Sequence, residues 1–462
     1  MDFRSLKYVA EACEARQLDG SPETLVNRVV SDSRLTQPGD VFFALAGDRF
    51  DGHDFLPDVA ERGVTAVVVD KSRLPKDLAC TVLTVDNPRG ALGRLGARYR
   101  RDFELPVVAI AGSNGKTTTK ELVASVLRQK LKVIWSEASF NNDIGVPVTL
   151  LKLEAVHQAA VLEVGTNHPG ELAPLVKMIQ PKFGIITSIG REHLEFFHDL
   201  AGVVQEEGAL AELLPPDGKL WINGDSEWTG KIVARCAAKV ERVGLNHGND
   251  WQASEIRMDA HGMTFVLTAP KPEFAGEYRI QLLGRHHVVN AMFAVAVGAE
   301  LGLSRAEIQQ GLAECAPAKM RMQQWNWNGV CVLDDAYNAN ADSMTAALET
   351  LRDLPCGGRR VAVLGDMAEL GSHSPTAHAE IGRLAAQLPV DQLFAIGGMA
   401  NIVADAARAA GLKNVSEFAG PEMAVDAVKK YLQAGDVLLL KASRSTRLER
   451  LGAALKAAGA KD

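Results

Sequence analysis

Within seven residues, Gly112-Ser113-Asn114-Gly115-Lys116-Thr117-Thr118 brings together two glycines, a lysine and three hydroxyl side chains, directly behind the apolar run Val107-Val108-Ala109-Ile110-Ala111. A buried strand that turns through glycines into a helix aims backbone N–H groups, and the positive end of the helix, at one spot where a phosphate can sit. In that arrangement Lys116 reaches the β and γ phosphates of ATP, and Thr117 offers its hydroxyl to Mg²⁺. The full pattern G-x-x-x-x-G-K-[ST] asks for glycine five residues before Gly115, where Ile110 stands, so the loop is a shortened form.

Two further residues could share that chemistry. Glu163 ends the apolar stretch Val161-Leu162, where a charge is costly without a cation or partner, and a strand-end carboxylate can bind Mg²⁺. His193 follows the apolar run Ile185 to Ile189 and could ligate a metal, although Mg²⁺ prefers oxygen and a lone histidine is more often structural.

The elements that must hold these residues are legible as alternation. Strands are expected at Val26 to Val30, Val41 to Leu45, Ala66 to Val69 and Thr81 to Val85, then a helix over Gly90 to Phe103 and a boundary near residue 104. A second unit carries the glycine-rich loop, a helix over Thr118 to Gln129, and strands at Val133-Ile134, Ala159 to Val164, Phe183 to Ile189 and Lys219 to Ile222. Alternating strands and helices predict a mostly parallel sheet with ligands at the strand C-terminal ends. An antiparallel appendix is expected between Asp250 and Leu283, and a helix over Asn290 to Leu301. After Pro317 a third unit repeats the alternation, with strands at Val330 to Leu333, Arg360 to Leu364, Gln392 to Ile396 and Val437 to Leu440. The fold class is therefore α/β in three units, 1–104, 105–317 and 318–462, with the chemistry in the cleft between the last two.

At 462 residues the chain is too long for one core. Its net charge of -7 and the lack of a basic stripe argue against nucleic acid. No apolar run is long enough to span a bilayer, no leader segment stands at the start, and a cytoplasmic monomer is expected. The six cysteines are scattered without a C-x-x-C pair, which removes zinc-ribbon and disulfide-framework readings.

In this order the pieces resemble the Mur ligase family, over essentially the whole chain. Val30 to Arg34, Pro38-Gly39-Asp40 and Gly47 to Gly52 look like its UDP-sugar-binding unit. Gly112 to Thr118, Glu163, His193 and Gly284 to Asn290 resemble its ATPase unit, and Asp334 to Asn340 with Lys441 to Arg444 its C-terminal Rossmann-like unit. Three segments, Asn167 to Glu171, Tyr337 to Asn340 and Leu364 to Gly371, favour the branch that adds D-alanyl-D-alanine to UDP-N-acetylmuramoyl-tripeptide with ATP and Mg²⁺. A branch adding a single amino acid, or a regulatory nucleotide-binding P-loop protein, are the alternatives.

The resemblance implies that Asn290 contacts adenine and that Arg321, Asp335 and Lys441 serve the nucleotide from the third unit. It implies Ser33, Asp48, Arg49 and Phe50 at the UDP end, Asn141 and Asn142 near the muramoyl portion, and Asn338, Asn340, Ser443 and Arg444 around the incoming dipeptide. Where the family has a lysine carbamylated by CO₂ to bind a second Mg²⁺, this chain has Glu207. Glu207 is expected to supply that anion itself, with Glu206 as rival, and the metal set is then Thr117, Glu163, His193 and Glu207. Lys116, Glu163, His193, Glu207 and Lys441 are the expected catalytic group.

Overall fold

A computed structural model describes residues 1–47 and 50–459. The central sheet has nine strands in the order Gly276–Ile280, Gly262–Thr268, Trp251–Asp259, Lys239–Gly244, Lys219–Asn223, Phe183–Ile186, Val107–Ala111, Ala159–Glu163 and Val133–Trp135. The pairs from Trp251–Asp259 to Val133–Trp135 are parallel, and only the first three strands are joined antiparallel. All five residues of Val107–Ala111 are buried, as a strand covered on both faces must be. Its neighbours are Ala159–Glu163 and Phe183–Ile186, with Glu163 opposite Ile110 and Ile186 opposite Ala111. Because the three strands run parallel and in register, their C-terminal ends open at one edge.

A five-stranded sheet (Gln17–Asp19, Thr81–Val85, Ala66–Asp70, Val41–Phe43, Val29–Val30) precedes it, and a six-stranded sheet (Gln323–Trp327, Val330–Asp335, Val437–Lys441, Arg360–Gly365, Gln392–Ile396, Val415–Phe418) follows. The expected strand Val26 to Val30 is broken: Leu25–Val26 pairs with Arg4–Ser5, while Val29–Val30 pairs with Val41 and Phe42. The helix expected from Asn290 begins at Arg285, right after Gly284 at φ +113. Strands at Lys239–Gly244, Gln323–Trp327 and Val415–Phe418 were not expected from the pattern.

Core residues of the first sheet (Val41, Phe43, Val68) and of the central one (Val107, Ala109, Leu162) belong to one continuous apolar cluster. The helix Pro88–Arg100 joins them, close enough that a Cβ on Gly96 would meet Pro147 at 2.7 Å. Among the described residues no helix is long and apolar enough to cross a membrane.

Candidate active site

Gly112 (φ +114) and Gly115 (φ +86) turn the chain from the Val107–Ala111 strand into the Lys116–Leu127 helix. Both positions are closed to larger residues: a Cβ on Gly112 would lie 2.5 Å from Thr187 Oγ1, and one on Gly115 2.7 Å from Asn290 Oδ1. The loop is stitched to the segment after Phe183–Ile186. Ser113 N–H donates to Ser188 O at 2.9 Å, Asn114 N–H to Ser188 Oγ at 2.9 Å, and Thr187 Oγ1 to Asn114 O at 2.6 Å. With Gly112 N–H taken by Glu207, three loop amides are committed to protein, and the phosphate-facing part falls to the helix start from Gly115 onward.

A cavity of about 570 Å³ opens above this turn. Its wall includes Ser113, Asn114, Gly115, Lys116, Thr117 and Thr118 of the loop, Glu163, Asn141 and Asn142, and Glu192 and His193. Asn290 adds to it beside Gly115, and from the third unit come Arg321, Asp335, Asn338, Asn340 and Lys441. The cleft predicted between the second and third units is thus where these residues meet. Ser443 is 1% exposed, takes the Ala368 N–H at 2.7 Å and lies outside that wall. Arg444 pairs with Glu449 at 3.2 Å, also outside it. Ser33 and Phe50 belong to the first unit and line no part of this cavity; Phe50 is 75% exposed. Asp48 and Arg49 lie outside the described residues.

Lys116 folds over its own loop, donating to Gly112 O at 2.5 Å, with Glu192 Oε2 at 3.5 Å. Burial alone would favour the neutral amine; the charges of Glu192, Glu207 and Glu163 outweigh it and raise the Lys116 pKa. Glu163 is 1% exposed, and its Oε1 accepts from Asn141 Nδ2 at 2.8 Å. The loop carrying Asn141 is clamped from beneath, because fully buried Lys120 donates to the carbonyl of Ala138.

His193 has a left-handed backbone (φ 48), and its Nδ1 lies 2.5 Å from Glu369 Oε2 of the third unit. That contact holds the Glu369 carboxyl below its usual range, while the other ring nitrogen, Nε2, lies 4.0 Å from Glu192 Oε2. Across the cleft, Lys441 Nζ donates to Asp335 at 2.5 Å and to Asn338 O at 3.1 Å, and the Arg321 guanidinium lies 4.2 Å from the Tyr337 ring centre. Asn340 Nδ2 reaches Asn114 Oδ1 at 3.0 Å, so the third unit touches the phosphate loop itself.

Glu207 is fully buried beneath the loop instead of lining the cavity, and its Oε2 accepts from Gly112 N–H at 2.6 Å. A glutamate is several bonds shorter than a carbamylated lysine, and here it ends at the loop's underside. Burial, then the neighbouring Glu192 charge, raise its pKa, against the pull of Lys116 and the Gly112 N–H. Glu206, its rival, braces a turn by accepting from Gly170 N–H and Leu172 N–H, both at 2.7 Å. Among the described residues no three His, Cys, Asp or Glu side chains form a ready cluster for a metal.

Sequence reasoning missed Glu192, Glu369 and Arg191. Glu192 stood beside His193 in the same strand-end segment, which was the available signal. Glu369 lay in the quoted segment Leu364 to Gly371 without a role, and Arg191 had none to suggest one: it pairs with Asp342 at 3.0 Å and Glu380 at 2.6 Å only through the fold.

A phosphate loop at the edge of a parallel sheet, its lysine among buried carboxylates and its mouth faced by cations of a second α/β unit, defines a P-loop nucleotide-binding protein. Residues 26–100 match the profile described as Mur ligase family, catalytic domain; residues 110–298 match Mur ligase middle domain, and 320–444 Mur ligase, glutamate ligase domain. The chain belongs to the Mur ligase family.

Its relatives include UDP-N-acetylmuramoyl-tripeptide-D-alanyl-D-alanine ligase of Escherichia coli (strain K12), 35% identical over 96% of each chain. The Bacillus subtilis (strain 168) ligase of the same name is 32% identical over 97% of each. Among solved structures, MurF from Acinetobacter baumannii aligns with TM-score 0.89 at 32% identity, over 98% of this chain and 99% of that one. MurF ligase from Thermotoga maritima in complex with ADP aligns with TM-score 0.83 at 25% identity, over 94% and 98%.

Proposed function

We propose that the protein is an ATP-dependent ligase joining D-alanyl-D-alanine to the C-terminal carboxylate of UDP-N-acetylmuramoyl-tripeptide, in peptidoglycan precursor synthesis. The observation that carries this is the meeting, in one cavity, of the Gly112–Thr118 loop with Glu163 on one side and Lys441, Arg321, Asn338 and Asn340 on the other. The full-length similarity to ligases of that name supports the choice of acceptor.

An ionised carboxylate resists attack by an amine, so it must first be phosphorylated. Its oxygen displaces ADP from the γ-phosphorus, giving an acyl phosphate; the dipeptide amine then attacks the acyl carbon, a proton leaves the nitrogen, and phosphate departs with the former carboxylate oxygen. Carboxylate and γ-phosphate repel each other, and Lys116, Arg321 and Lys441 supply positive charge where that repulsion gathers. Asn340 against Asn114 and Arg191 against Asp342 hold the third unit over the loop, which keeps water from the acyl phosphate.

Mg²⁺ fits this donor set, because Glu163 Oε2 is buried without a hydrogen-bond partner among the described residues and Thr117 stands at the helix start. Glu163, Thr117 and the His193 ring would hold it. When bound, it supplies the charge that lets the carboxylate approach the γ-phosphate.

Asn290, packed on Gly115, serves the adenine end. Asn141 and Asn142 serve the muramoyl portion, Asn338 and Asn340 the dipeptide, and Ser33 and Phe50 the UDP end. The same reading divides the chain at 104 and 317 and makes it a cytoplasmic monomer.

The test is to incubate the purified protein with ATP, Mg²⁺ and each UDP-muramoyl-tripeptide, offering D-alanyl-D-alanine or single amino acids, and weigh the products. The pentapeptide is expected with the dipeptide alone. Extension by a single amino acid, with the dipeptide ignored, would overturn the acceptor.

A further inference from the structure

Lys116 is ringed by three carboxylates, and each keeps one buried oxygen without a hydrogen-bond partner among the described residues: Glu163 Oε2, Glu192 Oε1 and Glu207 Oε1. The other oxygens are taken, by Asn141, by Lys116 and by Gly112 N–H. Glu207, pushed up to about 8, can hold its own proton, but one ammonium does not offset the other two buried acids, so the cluster calls for a further cation. Of the three, Glu163 and Glu192 line the cavity; Glu207 does not.

Glu192 is 5% exposed and rides on the segment that is hydrogen-bonded to the phosphate loop through Ser113, Asn114, Thr187 and Ser188. Its carboxyl is therefore fixed relative to the phosphates that the loop would hold. Glu207 lies close enough for the Glu192 charge to raise its pKa.

We propose that Glu192 is a further cation-holding residue of this site, presenting with Glu163 the carboxylate oxygens that take a divalent cation in the cavity, while Glu207 is a positioning residue acting through Gly112 and Glu192. Two short acids, one behind the other, thus cover the span from the underside of the loop to the cavity wall. Glu163 and Glu192 add two carboxylates to the Thr117 and His193 groups named above, and phosphate oxygens and water complete a set fit for Mg²⁺. The proposal rests on the metal-assisted phosphoryl transfer proposed above.

Mn²⁺, which favours the same oxygen ligands, is the probe, titrated by electron paramagnetic resonance into the full-length protein with saturating ADP. Glu192→Gln should weaken Mn²⁺ binding tenfold or more. It should leave ADP binding without metal equal or tighter, because an acid beside the phosphates has gone, and Glu192→Asp should recover part of the loss. Glu207→Gln should change Mn²⁺ affinity less than threefold while lowering the unfolding temperature.

Mn²⁺ binding within twofold of wild type in Glu192→Gln overturns the proposal, as does an equal loss of metal-free ADP binding, the mark of plain structural damage. A tenfold loss in Glu207→Gln would make it a ligand and overturn its positioning role. Glu163→Gln separates the two levels: if it loses Mn²⁺ and Glu192→Gln does not, only the Glu192 assignment fails; if neither changes, the metal-assisted reading fails too.

Discussion

In the function proposed above, Lys116 acts as a charge placed where a phosphate's negative charge gathers, and Glu192, Glu207 and Glu163 raise its pKa. Lys116→Met keeps the stem and removes the charge. It should lower kcat by roughly 10²–10³-fold, the usual loss for one preorganised stabilising group, with a smaller change in ADP affinity; phosphate release and ADP binding check this. Glu207 offers no amine to carbamylate, so activity should be the same in ambient and CO₂-depleted buffer; a strong bicarbonate dependence would contradict the role given to it. Lys116 and Thr117 were legible in the sequence because strand, turn and helix are local and their spacing is covalent; Glu163 was legible as a charge ending an apolar strand, and sheet pairing opposite Ile110 is what brings it to the loop. Glu192 and Glu369 were not, since their roles come from the side chains that the sheet and the third unit bring alongside, Lys116 and His193. Glu207 was legible as a departure but not as a position, because where a shortened side chain ends depends on the backbone beneath the loop.

The strand–turn–helix unit stands on its two left-handed glycines. Gly115→Ala forces φ +86 on a residue with a Cβ and drives that Cβ to 2.7 Å from Asn290. Nucleotide binding should fall at least tenfold, as read by ADP titration. At the start of Arg285–Glu300, the His286 and His287 rings lie 4.0 Å apart, tilted 50° to each other. Burial pushes His286 down to about 4, against the pull of Asp335, and holds His287 well below its ordinary value. A free histidine titrates near 6.5, so below that pH the unfolded chain takes protons that the folded one refuses. Their contribution to stability is present in full above about 6.5 and is lost as pH falls toward 4; unfolding temperatures between pH 7 and 4.5 should show a drop that a His286→Asn/His287→Asn variant flattens. Lys239–Gly244 was hidden in the sequence because Lys239, Glu241 and Arg242 put three charges into six residues, one of which, Glu241, the fold buries. Burial raises that carboxyl, but the Trp251 and Lys219 hydrogen bonds win and bring it down to about 2. Val26 to Val30 reads as one β-rich run, yet its two ends pair with different partners, which no local pattern reveals.

Across the whole molecule the first two units share one apolar cluster, whereas the third joins the central unit's Leu194, Phe197, Val203 and Leu283 in another. Around that patch lie Arg191 with Asp342 and Glu380, His193 with Glu369, and Asn114 with Asn340. We predict that the third unit swings about the connection near Pro317, with these contacts as its latch. The Arg191 pairs are more than a third exposed and contribute roughly 0.2–1 kcal/mol each. Arg191→Ala should thus open the cleft only in part, raising KM for ATP a few-fold and increasing the radius of gyration of the nucleotide-free protein in solution scattering; an unchanged profile and KM would count against the latch. The alternation of strands and helices made three α/β units readable from sequence, but not that the first and second share a core, because that depends on which faces meet. The most direct test of the chemistry follows oxygen. With the tripeptide's C-terminal carboxylate labelled with ¹⁸O, and ATP, Mg²⁺ and D-alanyl-D-alanine supplied, an acyl phosphate requires that each inorganic phosphate released carry one ¹⁸O. Unlabelled phosphate, with pentapeptide formed, would contradict it.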